Sequence, residues 1–408
     1  DPFQKVSPFT AAEHFISDYF CPNTGGVESH IYHLASCLMK LGHKVIVVTH
    51  TYGERRGVVF LRNGIKVYYL PFLVFHEQCS LPTFFVTLPA ARFILIREKV
   101  NLVHGHSVKF MLHAKMLGIH TVFTDHSLFG FSDLASISGN KMLQFSLVNC
   151  DLVICVSHTS KENTVLRAKL PASRVYVIPN ALNPDYFKPA PVKHNSITII
   201  VAGRMVYRKG VDLLASVLPM VCSRYDCVDF IIAGDGPKRI LLEETRERHS
   251  LQERLRLIGN VPHNRMGQVS MLCVICIVPC VNFAGGYLNI SLHIVSTNVG
   301  GIPEVLPSDL ITLAEPSIQG IVDALDSAIQ RYWANSLPDP MEVHTRIRQM
   351  YSWSDVAERT EHVYFDALKR IDFRYLQNGY LFGIIMYVVA IVEIGILKLL
   401  SVVSPIYQ

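Results

Sequence analysis

A basic motif, GRMVYRKG, begins at Gly203 directly after the apolar run Ile197–Ala202. If that run is a strand, Arg204 and Lys209 lie at its carboxyl end. Cations fixed in a water-poor cleft stabilise negative charge that develops in a transition state, for example on a departing diphosphate. A solvated basic turn is the alternative, and the motif alone leaves both interpretations open.

Two glycine motifs stand at similar positions. Gly25 and Gly26 come just before the first strongly helical pattern, where glycines let backbone N–H groups reach a phosphate that the helix dipole favours. Gly234 and Gly236 follow the run Phe230–Ala233 as the basic motif follows its own run. Each pair is equally well explained as a turn. A nucleotide site is indicated only by the position of the second pair, which comes directly after a predicted strand as the basic motif does.

A histidine at the end of another apolar run completes this set of candidates. His126 follows the run Thr121–Thr124, where an imidazole can contact a sugar or polarise a reacting oxygen. A structural role is the alternative. His104 and His106 have a spacing that can chelate a metal, but no carboxylate or cysteine partner is suggested. The apolar segment around Cys273 is interpreted as core, so no metal site is predicted.

An alternation of short β-branched runs and helical patterns must position these residues. Apolar residues recur every three or four positions from Val27 to Leu41, which predicts a helix ended by Gly42. The alternation predicts two α/β domains with parallel sheets, in which ligands bind at the carboxyl ends of strands. Strands are predicted over 44–49, 66–70, 102–104, 121–124, 152–156, 175–178, 197–202, 230–233, 255–258, 274–278 and 294–297, and helices over 211–221, 238–248 and 318–329.

Prolines mark the boundary between the two predicted domains. Three of them lie in the segment Asn183–Pro191, where they cannot continue a helix or a central strand. The predicted organisation is an α/β domain over 1–182, a linker over 183–195 and a second α/β domain over 196–350. A C-terminal helix is predicted over 351–374.

The composition excludes several classes of protein. Half of the 408 residues are hydrophobic and 17% are charged, which excludes a disordered or low-complexity chain. The net charge of +5 is too small for a chain of this size to indicate a nucleic-acid partner. Ten cysteines are far too few for a disulfide scaffold, so reduced thiols in the cytosol are expected.

The segment Tyr380–Val403 is mostly apolar and long enough to cross about 30 Å of hydrocarbon as a helix. A transmembrane helix over 380–403 is therefore predicted, although Glu393 and Lys398 interrupt it. An apolar hairpin or a buried helix is the alternative. Basic residues at Lys369 and Arg374 precede the span, so the positive-inside rule predicts that the large N-terminal part is cytosolic.

Together the motifs resemble the GT-B-fold, family-4 retaining glycosyltransferases. Within that family the chain is similar to the members that start glycosylphosphatidylinositol (GPI) anchor synthesis. The resemblance runs from about Ser17 to Leu368. It rests on GGVESHIY from Gly25, GHKVIVVTH from Gly42, TVFTDHSLFGF from Thr121, SKENTVLRA from Ser160, VYRKGVDLL from Val206, GDGPKRI from Gly234 and VSTNVGGIPEVLP from Val295.

This resemblance implies a fold, a reaction and a location. It implies two Rossmann-like domains facing a cleft that holds UDP-N-acetylglucosamine. The acceptor would be phosphatidylinositol in the membrane, and no metal or other cofactor would be needed. It also implies a multi-subunit complex on the cytosolic face of the endoplasmic reticulum, with a single membrane span.

The resemblance also implies roles for residues of the motifs. Arg204 and Lys209 would hold the donor diphosphate, and His126 would line the sugar pocket. Gly25 and Gly26 would approach the diphosphate from the first domain. On the nucleotide side of the second domain, the implied donor-site residues are Gly234, Gly236 and Glu304.

One departure from the family concerns two glutamates seven residues apart, which face the donor sugar and the ribose. No Asp or Glu occurs between Glu253 and Glu304, and the stretch from Asn282 to Leu292 stands where the pair belongs. Glu304 lies downstream of the expected position. Either a coding segment is missing from this sequence or the chain is a degenerate paralogue. Three functions therefore stay open: the transferase, a non-catalytic scaffold of the same complex, and a lipid-linked glycosyltransferase with another sugar.

Overall fold

The computed structural model describes residues 12–16, 20–22, 25–71, 84–106, 109–126, 140–141, 143–144, 146–181, 196–270, 273–278, 292–369 and 380–403. The chain forms two compact units. The first joins Asp1–Asn180 to Trp353–Gln408, and the second is the continuous segment Ala181–Ser352. The C-terminal helices therefore belong to the first unit, and the predicted linker 183–195 lies outside the described residues.

The described residues form parallel-sheet units of alternating strands and helices. The strands are β1 (Ala12–Ile16), β2 (Lys44–His50), β3 (Gly57–Phe60), β4 (Lys66–Leu70), β5 (Leu102–Gly105), β6 (His120–Asp125), β7 (Leu152–Cys155), β8 (Val175–Val177), β9 (Ile197–Ala202), β10 (Val228–Ala233), β11 (Leu255–Gly259), β12 (Ile275–Val278), β13 (His293–Thr297) and β14 (Ile311–Ala314). The helices are α1 (Gly26–Lys40), α2 (Phe84–Arg97), α3 (Lys109–Met116), α4 (His158–Ala168), α5 (Val211–Arg224), α6 (Arg239–Arg248), α7 (His263–Ser270), α8 (Ile318–Trp333), α9 (Pro340–Met350), α10 (Trp353–Leu368) and α11 (Tyr380–Val403).

The sheet of the first unit has eight strands in the order β3-β4-β2-β1-β5-β6-β7-β8. All neighbours are parallel except β3 and β4, which pair antiparallel at one edge. Strands β2, β5 and β7 are buried along nearly their whole length, as parallel strands covered on both faces must be. Helix α10 packs against α1 and β6, so this C-terminal element completes the core of the first unit.

The sheet of the second unit has six strands, all parallel, in the order β11-β10-β9-β12-β13-β14. Helices α5 and α8 pack together over one face of it. The core there contains Phe230 and Val295 from the sheet and Leu218 and Leu325 from the helices, each at most 1% exposed. The prediction of an α/β fold with parallel sheets is confirmed.

Local sequence explains the start and end of the elements that carry candidate residues. Helix α1 buries the stripe Ile31, Leu34 and Leu38, as its spacing predicts. Gly42 follows it with φ +98°, a left-handed conformation that suits glycine. The Ser157 side chain accepts a hydrogen bond from the Ser160 N–H and caps α4.

The segment predicted to span the membrane forms one continuous helix, α11, which packs against α2 and α3. Ala390 and Glu393 are buried in that contact, whereas Val388 and Ile391 are more than half exposed. Among the described residues, no helix combines the length and the apolarity that crossing a membrane needs. The span therefore stays a prediction.

Candidate active site

The basic motif and the second glycine motif pack backbone against backbone at the carboxyl edge of the second unit's sheet. The Gly203 N–H donates to the Ala233 carbonyl at 2.9 Å. A Cβ atom at Gly234 would stand 1.9 Å from the Gly203 oxygen. Gly234 has φ +144°, so both its conformation and its neighbour exclude a side chain.

The same contact continues one turn further along both loops. The Met205 N–H donates to the Asp235 carbonyl at 2.9 Å, and the Lys238 N–H donates to the Met205 carbonyl at 3.0 Å. A Cβ atom at Gly236 would stand 2.6 Å from the Met205 oxygen. The structure therefore brings together the two motifs whose common register indicated a nucleotide site.

The two predicted diphosphate ligands lie on the loop between β9 and α5. Arg204 is exposed, and Lys209 is half-buried in a 3-10 turn, Tyr207–Lys209. That turn leads through Gly210, with φ +69°, into the N-terminus of α5. A helix N-terminus carries positive partial charge, so it adds to these two cations.

Glu304, the remaining candidate of the second unit, ends a short 3-10 turn, Ile302–Glu304, between β13 and β14. Its side chain is exposed. The preceding stretch 279–291, where the family's glutamate pair is expected, lies outside the described residues.

In the first unit, the paired glycines begin α1. Gly25 is the N-cap residue in an extended conformation, and a Cβ there would stand 2.4 Å from a carboxylate oxygen of Glu28. The Glu28 carboxylate thus folds back over the first turn of the helix, where it complements the positive end of the dipole. A phosphate approaching Gly25 and Gly26 would meet this negative charge.

His126 follows the last residue of β6 and faces other imidazoles. Its Nε2 lies 2.9 Å from Nδ1 of His106, and the two rings stack with centroids 5.2 Å apart. Burial lowers the pKa of His126 to about 3, and the nearby His104 contributes to the same shift. His126 is therefore neutral at pH 7 and can donate or accept a hydrogen bond without carrying charge.

The end of β6 is fixed by the residue before His126. The Thr164 hydroxyl donates to Asp125 Oδ2 at 2.8 Å, and the Arg167 guanidinium lies 3.5 Å from the same oxygen. Both partners belong to α4. Asp125 is 2% exposed, so it anchors the strand to the helix and holds the neighbouring histidine in place.

Helix α1 contributes a histidine that the sequence did not single out. His30 lies with its ring 4.8 Å from that of His126 and 5.3 Å from that of His106. Its Nδ1 lies 2.8 Å from Oδ1 of Asn180. His30 is part of the GGVESH segment, but neither its place on the helix nor Asn180 carries a local signal of this contact.

His104 packs against His106 as a fourth histidine of this group. It stacks on His106 at 4.6 Å, and its two nitrogens lie 2.6 Å from the Thr124 hydroxyl and 2.7 Å from the Tyr364 hydroxyl. Both nitrogens are thus occupied by protein partners. The His104-x-His106 spacing places only His106 beside His126.

The second unit defines the class of protein. Residues 196–331 match the family described as "Glycosyl transferases group 1". The chain shares its fold with sucrose-phosphate synthase (tll1590) from Thermosynechococcus elongatus, with a TM-score of 0.75 and 18% identity over 88% of this chain and 99% of that one. Anabaena Alr3699/HepE, solved in complex with UDP, gives a TM-score of 0.70 and 15% identity over 87% and 99%. The chain is a glycosyltransferase of the GT-B-like fold.

Longer sequence matches identify the family within that class. Residues 50–133 match the family described as "PIGA (GPI anchor biosynthesis)". A phosphatidylinositol N-acetylglucosaminyltransferase subunit from Arabidopsis thaliana is 47% identical over 96% of this chain and 91% of its own length. The corresponding Homo sapiens protein is 48% identical over 86% and 75%. The chain belongs to this family of phosphatidylinositol N-acetylglucosaminyltransferase subunits.

The Arabidopsis alignment also contains positions that this chain does not fill. It runs over 417 positions, more than the 408 residues present here. The relative therefore contains residues that have no counterpart in this chain.

Proposed function

We propose that this chain transfers N-acetylglucosamine from UDP-N-acetylglucosamine to phosphatidylinositol, the first step of GPI-anchor synthesis, with retention at the anomeric carbon. The observation that carries the proposal is the 47% identity to the Arabidopsis relative over 96% of the chain. At this level of identity the two chains share their fold and the setting of their motifs. The cluster around His126 and the packed loops around Gly203 and Gly234 both lie within this match.

The donor diphosphate would bind at the carboxyl edge of the second unit's sheet. Two cations, Arg204 and Lys209, and the N-terminus of α5 supply positive charge there, and nearby glycines let the backbone approach the ligand. The contact of Gly234 with Gly203 supports this assignment because it fixes the loop that carries Arg204. No metal is needed, since fixed cations stabilise the departing diphosphate.

His126 would contact a hydroxyl of the donor sugar. An imidazole with a pKa of about 3 stays neutral throughout the reaction, so its part is to orient the sugar by hydrogen bonding. Transfer with retention builds positive charge on the sugar ring, and a neutral ring avoids repelling it.

We further propose that α11 anchors the chain in the endoplasmic reticulum membrane, with both units in the cytosol and with the other members of the complex beside it. The exposed Val388 and Ile391 support this, because they leave an apolar face of α11 for lipid tails. Glu393 is buried against His113 of the first unit and is not part of that face.

Alkaline carbonate extraction tests the anchor. The full chain should stay in the membrane pellet, and truncation after Asn378 should release most of it. A glycan acceptor site added beyond Pro405 should be modified, because that tail would lie in the lumen. A full-length chain that washes off as freely as the truncated one would exclude the anchor.

A second function, a scaffold protein of the complex that binds the nucleotide but turns over poorly, is favoured by the absent glutamates. Removal of one well-placed hydrogen-bonding group costs about 2.7–4 kcal/mol in the transition state, or roughly a hundred- to thousand-fold in rate. The unmodified chain should therefore bind UDP and transfer little sugar. Grafting a glutamate-bearing segment of a relative between Phe283 and His293 should restore transfer.

The decisive experiment measures transfer to phosphatidylinositol by the chain and by the grafted chain, each with its partner proteins. If the grafted chain transfers sugar and the unmodified chain does not, the result supports the proposed function and explains the defect of the unmodified chain. Full turnover by the unmodified chain would exclude the scaffold. Competition between UDP-N-acetylglucosamine and GDP-mannose distinguishes a transferase for another sugar, because the second donor would then bind more tightly.

A further inference from the structure

We propose that His30, His106 and His126 form a binding site for one divalent transition-metal ion of the zinc type. Ligand nitrogens of the three rings all lie within 4.8 Å of one another. The rings come from α1, from the end of β5 and from the end of β6, so three separate elements of the first unit converge on one point. Three histidines with an open fourth position are an established ligand set for zinc.

Metal binding requires the nitrogens to shift, because the widest pair, within 4.8 Å, must close and the hydrogen-bonded pair must open. With zinc–nitrogen bonds of about 2.0–2.1 Å, tetrahedral ligands stand about 3.4 Å from each other. His106 and His126 are already hydrogen-bonded at 2.9 Å. An ion that enters between them replaces this hydrogen bond. The imidazole that donates this hydrogen bond would then carry its proton on the other ring nitrogen, so no proton has to leave the site.

His30 is prepared for such a role by Asn180. The amide oxygen of Asn180 can only accept, so Nδ1 of His30, at 2.8 Å, carries the proton. The other nitrogen, Nε2, is then unprotonated. It is buried and has no hydrogen-bond partner among the described residues, in a side chain that is 5% exposed. A second partner that fixes the tautomer in this way is typical of metal-binding histidines.

The ligand atoms favour a nitrogen-binding ion over magnesium or calcium. No carboxylate belongs to the described cluster. Magnesium and calcium prefer oxygen ligands, whereas zinc, cobalt and nickel accept imidazole.

The ion would act as an inhibitor of the proposed transferase. Its bond to His126 uses the imidazole that is proposed to contact the donor sugar. The binding of the ion stands apart from the proposed function, whereas the inhibition rests on it. The nitrogen lone pair of a neutral imidazole that can accept a hydrogen bond from a sugar hydroxyl can also bind a metal.

A tryptophan beside the cluster provides a direct readout. The indole of Trp353 lies 5.5 Å from the ring of His30. The chain has two tryptophans, and the other, Trp333, is half exposed in the second unit. In a Trp333→Phe background, all tryptophan fluorescence comes from the cluster, and paramagnetic Co²⁺ bound there should quench it.

The experiment titrates the full-length Trp333→Phe chain with Co²⁺ and then displaces it with Zn²⁺. We expect saturable quenching, recovery on addition of Zn²⁺, and one metal ion per chain by elemental analysis after dialysis. His106→Ala should weaken binding by roughly a hundred-fold or more. Asn180→Ala should weaken it by about 10- to 100-fold, because it removes only the partner of a ligand.

A matched control is His43→Gln. His43 is a buried histidine of the same unit, 5% exposed and bonded to Glu361, outside the cluster. This variant should bind Co²⁺ as the parent chain does. If His106→Ala does not fold, as judged by thermal unfolding, Asn180→Ala carries the test alone. Equal metal binding by the parent and Asn180→Ala, or no retained metal in the parent, would overturn the proposal.

Activity separates this proposal from the proposed function. With the grafted, active chain, Zn²⁺ should inhibit transfer over the same concentrations at which it displaces Co²⁺. Metal binding by a grafted chain that still transfers no sugar would support the site and refute the proposed function. Transfer that proceeds normally with the metal bound would refute the inhibition.

Discussion

The two groups of candidate residues would recognise a donor in different ways. In the second unit, Arg204 offers a delocalised charge that stays protonated at any physiological pH. In the first unit, His126 offers a neutral ring whose burial keeps it neutral.

Removal of either cation tests the charged group of candidate residues. Arg204→Ala and Lys209→Ala should each weaken UDP binding by roughly 10- to 100-fold, because each removes a charge-assisted hydrogen bond of about 1.5–3 kcal/mol. Isothermal titration with UDP measures the effect. Arg248→Ala, an exposed arginine at the end of α6, is the control and should bind as the parent does. Unchanged affinity in both site variants would make the basic motif an ordinary turn.

A carboxylate remote from the candidate site predicts how the first unit responds to acid. Burial raises the pKa of Glu98, but hydrogen bonds from Lys44, Lys66 and Tyr68 outweigh it and lower the pKa to about 2. Because the pKa of Glu98 is lower in the folded state, its ionised form stabilises the fold above pH 4.5, the pKa in the unfolded chain. This stabilisation is lost as the pH falls towards 2. The contribution is on the order of 3 kcal/mol.

Glu98→Gln tests this directly. Its free energy of unfolding at pH 7 should fall, and the loss of stability between about pH 4.5 and 2 should become shallower than in the parent. Denaturant unfolding at several pH values measures both. Glu244→Gln, an exposed glutamate of α6, should leave the profile unchanged. Parallel profiles for Glu98→Gln and the parent would contradict the expectation.

At the scale of elements, two glycines with similar φ angles allow the cost of backbone strain to be measured separately from the cost of a steric clash. Gly203 and Gly234 have φ of +154° and +144°, but only Gly234 has a backbone oxygen where a Cβ would lie. Gly203→Ala should cost about 1–3 kcal/mol from conformation alone. Gly234→Ala should cost clearly more, because the β9 and β10 loops must separate. Thermal unfolding of the two variants gives the comparison, and equal losses would rule out the collision.

Elements with strong local patterns were predictable, whereas elements defined by distant pairing were not. The strands β4 and β9 match their predicted bounds because both are rich in β-branched or aromatic residues. Strand β1, AEHFI, carries a charge and a histidine in five residues and was not predicted. It lies between β2 and β5 in the sheet, and only those neighbours make it a strand. Edge strand β3 was missed because it is largely exposed.

The contacts of the candidate site also fall into those that local sequence predicts and those that depend on distant residues. The contact of Gly234 with Gly203 followed from two motifs that each come directly after a strand of a parallel sheet. The contact of His30 with Asn180 joins residues 150 positions apart, and neither has a neighbour that announces it. The three histidines of the proposed metal site come from α1 and from the ends of β5 and β6, and they share no motif spacing that would have predicted the site.

For the whole molecule, the discontinuous first unit predicts unequal effects of two truncations. Helix α10 buries Tyr364 to 1% exposure, and its Glu361 accepts a hydrogen bond from His43. A chain ending at Ser352 lacks α10, so its first unit should lose protection from proteases while its second unit keeps it. A chain ending at Asn378 retains α10 and is the control. Equal protection of the first unit in both would show that α10 is dispensable.

That arrangement also constrains the order in which the protein can be made. A ribosome releases the eight-stranded sheet first, then the whole of Ala181–Ser352, and only then the helix that covers α1 and β6. At about 5–20 residues per second, the nascent sheet waits roughly 10–30 s with apolar surface uncovered. The second unit, a continuous segment, can fold during that wait. Chaperones that act on the growing chain should therefore be found on the first unit, and substitutions that weaken α10 should act mainly on the yield of synthesis.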